Sequence, residues 1–255
     1  MPGSRSTITH GTYTVPQSGP TLAYSLHQPT TPAQPTATRA ALIAHPYGRL
    51  GGCKDDHVVV SLVESLAANG WTVLRYDARG SGSSTGSVSW TGRAEAHDYA
   101  FILRDVLLPI VLPPDAAGTP QTVSLLLAGY SYGSLAASAC PPPDKIGDVR
   151  FETSYLLISY PLSVAWALCA LQTAFFTSAL STRTLDHRVL AVYGDQDQFT
   201  AIAKFRQWAT DLGQQFDLFR SIEIAGADHF WRQRDSKRQL LSTICAWLSR
   251  DGEAC

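Results

Sequence analysis

The stretch Thr122 to Ala139, TVSLLLAGYSYGSLAASA, limits what this chain can fold into more than any other. Its first half is a short apolar run, its centre is Gly129-Tyr130-Ser131-Tyr132-Gly133, and its second half is made of small residues with good or neutral helix propensity. That order predicts a buried strand, a tight turn and a helix. A serine on such a turn is held in a strained conformation with its hydroxyl exposed at the carboxyl end of a sheet. Glycines two residues to either side let helix and strand approach closely. The Gly-x-Ser-x-Gly string alone is weak, since it arises by chance in roughly one chain in ten of this length. The strand before it and the helix after it carry the weight.

The rest of the chain repeats the alternation. Thr7 to Pro16 and Leu22 to His27 read as two strands around turn residues Ser18-Gly19-Pro20, an antiparallel edge hairpin. A Pro- and Thr-rich surface connection is expected over 28–38. Ala40 to Ala44 is a short apolar strand running into His45-Pro46-Tyr47-Gly48, after which Asp55 or Asp56 can cap a helix with Val58, Leu62, Val63 and Leu66 on one face. Trp71 to Tyr76 is the next buried strand, followed by the glycine-rich loop Asp77 to Ser84, a helix over 95–108 and a Pro-rich loop over 109–120. Beyond the serine stretch, strands are predicted at Tyr155 to Ser159, Arg188 to Tyr193 and Ser221 to Ile224, with helices over 201–212 and 236–249. Strands that are apolar throughout and alternate with helices predict an α/β fold, a mostly parallel sheet covered on both faces. A chain of 255 residues with 45% hydrophobic content buries one such core, so a single domain over 1–255 is expected.

Several function classes fall away. With a formal charge of -1 and scattered lysine and arginine there is no basic stripe, so no nucleic-acid partner is expected. Gly80 and Gly82 have the first spacing of a dinucleotide fingerprint, but Thr85 stands at the third glycine position and no P-loop lysine follows. Cys53, Cys140, Cys169, Cys245 and Cys255 are odd in number and far apart, with no Cys-x-x-Cys pair; free thiols in a reducing cytoplasm are expected, with no metal and no cofactor. The N-terminal MPGSRSTITHGTYTVP lacks the apolar core of a signal peptide. Tyr160 to Thr182 carries no charge and approaches bilayer length, but it lies between two predicted core strands, where a span would tear the sheet apart.

Serine, aspartate and histidine follow one another at predicted strand ends. In a parallel sheet those ends share one edge, so distant residues converge there. Ser131 would attack a carbonyl carbon, His229 would take its proton and later return one to the leaving group, and an aspartate after Tyr193 would fix the histidine tautomer. Asp195 and Asp197 both stand in that loop, and Asp228 adjoins His229. A developing oxyanion needs two backbone donors. The Tyr132 amide is one. The other comes from His45-Pro46-Tyr47-Gly48, where Pro46 has no N–H, leaving Tyr47 or, failing it, Gly48. The His45 ring is expected to support that loop, and Asp77 and Arg79 to hold theirs.

With these residues in view the chain resembles the compact α/β-hydrolases, in particular small hydrolases with a His-Pro oxyanion loop and a Gly-Ala-Asp-His-Phe ending. The matching segments are AHPYGRLGG (44–52), RYDARGSGSSTG (75–86), AGYSYGS (128–134), YGDQD (193–197) and GADHF (226–230). The resemblance implies an eight-stranded, mostly parallel sheet with helices on both faces and a serine hydrolase mechanism, and it favours Asp197 as the acid. Where this fold commonly carries a cap, the chain has only a short apolar insert over 160–187, with Val164, Trp166, Leu168, Leu171, Phe175, Phe176 and Leu180. Such a stripe is ordinary packing or a dimer face; alternatively part of it, Trp166 and Phe176, joins Trp90, Tyr130, Phe199, Phe230 and Trp231 in lining a pocket over Ser131. The expected substrate is an ester, lactone or thioester of a small to medium apolar acyl compound. A cyclase, lyase or acyltransferase using the same pocket, and a catalytically silent binding protein, are the competing readings. A homodimer is compatible with the apolar insert.

Overall fold

Side chains of a strand point alternately to the two faces of a sheet, so a strand apolar at every position must be covered on both. The computed structural model describes residues 6–30, 38–112, 122–143, 145–170 and 172–249, and builds such a sheet from eight strands. These are β1 (Ser6–Thr14), β2 (Thr21–Pro29), β3 (Thr38–Ala44), β4 (Thr72–Tyr76), β5 (Thr122–Tyr130), β6 (Arg150–Ile158), β7 (Arg188–Gln196) and β8 (Phe219–Asp228). Their spatial order is β1-β2-β4-β3-β5-β6-β7-β8. The β1–β2 and β2–β4 pairs are antiparallel and all others parallel. β5 lies between β3 and β6, so the strand leading to Ser131 is central.

The alternation sorts the core into two layers. Val123, Leu125 and Leu127 of β5 join one hydrophobic cluster with Leu42, Tyr155 and Val189, while Leu126, Ala128 and Tyr130 join another with Ile43, Leu156 and Leu190. The second layer packs under α1 (His57–Ala68) and α8 (Arg234–Leu248), the first under α2 (Arg93–Ile102), α3 (Leu108–Val111), α4 (Tyr132–Ala139) and α6 (Thr173–Asp186). α5 (Ala165–Leu168) is a single turn in the insert, and α7 (Ile202–Gln215) lies against β7 and β8. Each fully buried Leu, Ile or Val in these layers contributes about 1.5–3 kcal/mol. Asp56, not Asp55, caps α1, its Oδ1 accepting the Val58 N–H at 2.8 Å.

Three elements differ from expectation. The helix expected to stop before Pro109 continues to Val111. A proline inside a regular helix removes a hydrogen bond and presses on the carbonyl four residues back. Here a π turn over Leu103–Leu107, with the Leu108 N–H reaching back to the Leu103 carbonyl, widens the helix just before Pro109. β6 and β8 begin earlier than their apolar cores: the polar first half of β6 pairs in register with β5, Thr122 opposite Arg150. Backbone pairing, not side-chain polarity, decides those ends. The uncharged stretch 160–182 folds into α5 and the start of α6, and among the described residues no helix is long and apolar enough to cross a membrane. Leu171 and Cys255 lie outside the described residues, as does most of the 28–38 and 109–120 connections.

One buried group in β2 makes stability depend on pH. Burial, followed by the nearby Arg75 guanidinium and His10, lowers the His27 pKa from 6.5 to about 4, and neutral Nε2 accepts from Arg75 Nε at 3.4 Å. The unfolded chain therefore takes up this proton first. His27's contribution stands in full above about pH 6.5 and is lost as the pH falls toward 4. His27→Gln, which keeps an acceptor for Arg75, is expected to lose on the order of 1 kcal/mol less stability over that window. Melting curves of the two proteins that run parallel from pH 7 to 4 would refute this.

Candidate active site

β5 ends at Tyr130 and α4 begins at Tyr132, so Ser131 alone makes the turn, with φ 53 and ψ -120. A side chain at positive φ costs about 1–3 kcal/mol and persists only where its surroundings enforce it. Here the Ser131 N–H donates to the Ile158 carbonyl at 2.7 Å, and Ser134 Oγ, one turn on, donates to the Gly129 carbonyl at 2.8 Å. Both glycines are required by close approach. A Cβ on Gly129 would stand 2.2 Å from the Gly133 carbonyl carbon, and one on Gly133 would stand 2.5 Å from the Ala44 carbonyl oxygen. α4 is thus seated on the ends of β3 and β5, placing the Tyr132 amide, free at the first helical position, beside the loop that leaves β3.

That loop is shaped by His45. Pro46 O can only accept and the Ala78 N–H can only donate, so the contacts at Nδ1 (2.6 Å) and Nε2 (2.9 Å) fix the Nδ1-protonated tautomer. Burial pushes the His45 pKa down, which keeps the ring neutral. The Tyr47 carbonyl accepts from the Leu50 and Gly52 amides, and the Tyr47 ring packs on Tyr132 with centroids 4.9 Å apart. Asp77 accepts from the Lys54 and Ser83 amides, while Arg79 grips Asp98 through two hydrogen bonds of 2.7 and 2.6 Å. Asp77 thus joins the segments at Lys54 and Ser83, and Arg79 ties its loop to α2.

The structure brings Ser131, His229 and Asp197 into one line. His229 Nε2 lies 2.9 Å from Ser131 Oγ, and Nδ1 lies 2.6 Å from Asp197 Oδ2. Asp197 Oδ1 is held by the amides of Phe199 (2.8 Å) and Thr200 (2.9 Å), which aim the other oxygen at the imidazole. The other two acids are engaged elsewhere: Asp195 Oδ1 accepts from the Gly226 amide at 2.6 Å, and Asp228 from the Arg232 amide at 3.1 Å. His229 is also fixed from behind. The Tyr130 hydroxyl donates to the His229 carbonyl at 2.7 Å, and the His229 N–H donates to Gln198 Oε1 at 3.0 Å. Such an arrangement can deprotonate a hydroxyl and hold the resulting imidazolium against a carboxylate. Burial pushes the Cys140 and Cys169 thiols up to about 12, so neither competes as a nucleophile near neutrality.

Over Ser131 opens a cavity of about 300 Å³, mostly apolar. Tyr130, Phe199 and Phe230 line it as expected, with Tyr47 from the β3 loop. Four of the expected lining residues do not. Trp90 is 71% exposed in a surface loop, where the Arg49 guanidinium lies 4.3 Å from its ring centroid. Trp166 is 63% exposed because it points away from the helix face bearing Val164 and Leu168, four residues apart, which do reach the cavity. Phe176 turns into the core layer beneath α6, and Trp231 is buried in the opposite layer with its indole N–H on Ser159 Oγ at 3.1 Å. Leu50, Gly51, Gly52 and Asp56 also line the cavity. Leu50 sits in a loop without periodicity; Asp56 could have been suspected only as a cap.

Comparisons agree with this architecture. The model of the X-Pro dipeptidyl-peptidase (S15) family matches residues 18–104, which take in the β3 loop and end before Ser131. An uncharacterized protein of Schizosaccharomyces pombe is 24% identical over 213 residues, covering 84% of this chain and 87% of that protein. Among solved structures, an alpha-beta serine hydrolase homologue from Coxiella burnetii superposes with a TM-score of 0.67 at 19% identity, covering 94% of this chain and 97% of that one. An α/β serine hydrolase without lid from Xanthomonas campestris gives 0.62 at 21% identity, covering 96% of each chain. A central parallel sheet, a strained turn at the end of its middle strand and these likenesses lead to one statement: the chain has the α/β-hydrolase fold, with a minimal cap.

Proposed function

We propose that this protein is a serine hydrolase that cleaves an ester, lactone or thioester of a small to medium apolar acyl compound. The observation that carries the reading is the line of hydrogen-bond distances from Asp197 through His229 to Ser131. As Ser131 Oγ attacks the acyl carbon, its proton passes to His229 Nε2 and the carbonyl oxygen takes up negative charge. The Tyr47 and Tyr132 amides receive that oxyanion, each worth about 2.7–4 kcal/mol in barrier height. His229 then gives its proton to the departing alcohol or thiol, leaving acyl-Ser131. Water, deprotonated by the same nitrogen, attacks the acyl carbon, and the proton returns to Ser131. The alpha-beta serine hydrolase likenesses and the apolar wall of the cavity support the reading.

A cavity of about 300 Å³ suits short acyl chains. On p-nitrophenyl esters of increasing length, kcat/KM is expected to peak at roughly four to eight carbons, and a fluorophosphonate probe is expected to label Ser131. In isotopic water the solvent oxygen must enter the acid product. No labelling together with no turnover across ester, lactone and thioester panels would overturn the proposal.

A further inference from the structure

The cavity over Ser131 is apolar but not uncharged. Among the described residues that line it there is no lysine or arginine, and the one carboxylate is Asp56. Its Oδ1 is occupied as the cap of α1, accepting from Val58 N at 2.8 Å. No lysine or arginine among the described residues pairs with it: Lys54 pairs with Asp55 and Asp77, Arg75 with Asp55 and Arg232 with Asp228, while Lys237 reaches the His57 ring at 3.5 Å. The N-terminal half-charge of α1, about +0.5, only partly offsets a full carboxylate. Asp197, whose Oδ2 lies 2.6 Å from His229 Nδ1, adds a second carboxylate behind the histidine that lines the same space. The Phe199 and Phe230 rings also line the cavity, and the cation recorded on them, Arg232 at 4.3 Å from the Phe230 ring centroid, has its charge met by Asp228.

Resting on the hydrolase reading above, we propose that Asp56 selects substrates bearing a positively charged nitrogen: esters carrying an amine or quaternary ammonium group beside an otherwise apolar body. Asparagine caps a helix about as well as aspartate, and the α1 dipole adds only a modest preference for the charged cap; a preference that follows the charge of the substrate is what a carboxylate in the cavity wall supplies and an asparagine does not.

The test uses butyrylcholine and its uncharged isostere 3,3-dimethylbutyl butyrate, which share an acyl group and differ in one atom. The quantity read is the ratio of their kcat/KM values. It is expected to favour the cation by roughly 5- to 10-fold at low ionic strength and to shrink in 0.5 M salt, because the carboxylate is partly exposed. In Asp56→Asn the ratio should fall to near one, with the helix cap retained. A wild-type ratio near one, or an unchanged ratio in Asp56→Asn, overturns the assignment while leaving ester hydrolysis intact. Should neither ester be turned over, the hydrolase reading is decided by the probe and the wider panels, and the role of Asp56 by binding. Binding of both esters to Ser131→Ala and to Ser131→Ala/Asp56→Asn, measured by calorimetry, then decides the role of Asp56: the same preference in the first and its loss in the second support it, and equal binding refutes it.

Discussion

Ser131→Ala is expected to lower kcat on p-nitrophenyl butyrate by on the order of 10⁴- to 10⁶-fold, with the fold retained. The alanine removes the one oxygen that His229 Nε2 faces at 2.9 Å and leaves the backbone donors in place. A companion variant separates chemistry from folding. Ser131 holds φ 53, a value glycine adopts without strain, so Ser131→Gly should be equally inactive yet melt higher than the parent, by an amount corresponding to about 1 kcal/mol. Residual activity within a hundredfold of the parent in a freshly purified Ser131→Ala protein would mean that turnover occurs elsewhere. A lower melting temperature for the glycine variant would mean that the turn is relaxed.

Asp197→Asn is the second large effect, on the order of 10⁴-fold in kcat. The asparagine oxygen can keep the Phe199 and Thr200 amides now held by Oδ1, which turns its NH₂ toward His229 Nδ1. That nitrogen must then accept, the proton moves to Nε2, and the ring can no longer take one from the serine. Asp195→Asn keeps an acceptor for the Gly226 amide and should change kcat by less than roughly tenfold. Steady-state kinetics on both variants decide the matter; a larger loss at 195 than at 197 would reassign the acid.

What could be read ahead of the structure follows from how each feature is written in the chain. Period-free apolar runs and helical spacing are local, so the order of strands and helices and the parallel sheet were legible, and the glycines around Ser131 spoke for the tight turn. The choice among Asp195, Asp197 and Asp228 was not local: it depends on which amides each carboxylate meets, and those come from Gly226, Phe199 and Arg232. The cavity wall was the least legible part. Aromatic residues are natural guesses for a pocket, yet a side chain's direction depends on the helix phase around it, and a two-residue difference in phase sent Trp166 to solvent while Val164 and Leu168 turned inward. Trp231 and Phe176 show the reverse case, in which a large ring completes the core beneath the sheet rim. Pro109 concealed a helix because the π turn that admits it has no sequence signature.

The hydrogen bond from Tyr130 to the main chain of residue 229 joins the strand that ends at Ser131 to the loop carrying His229. Any breathing of one is transmitted to the other, so their separation is insulated from sliding between the middle of the sheet and its edge. Under the proposed mechanism these two groups are aligned before anything binds, and progress curves should start at full slope, without the lag of a closing movement.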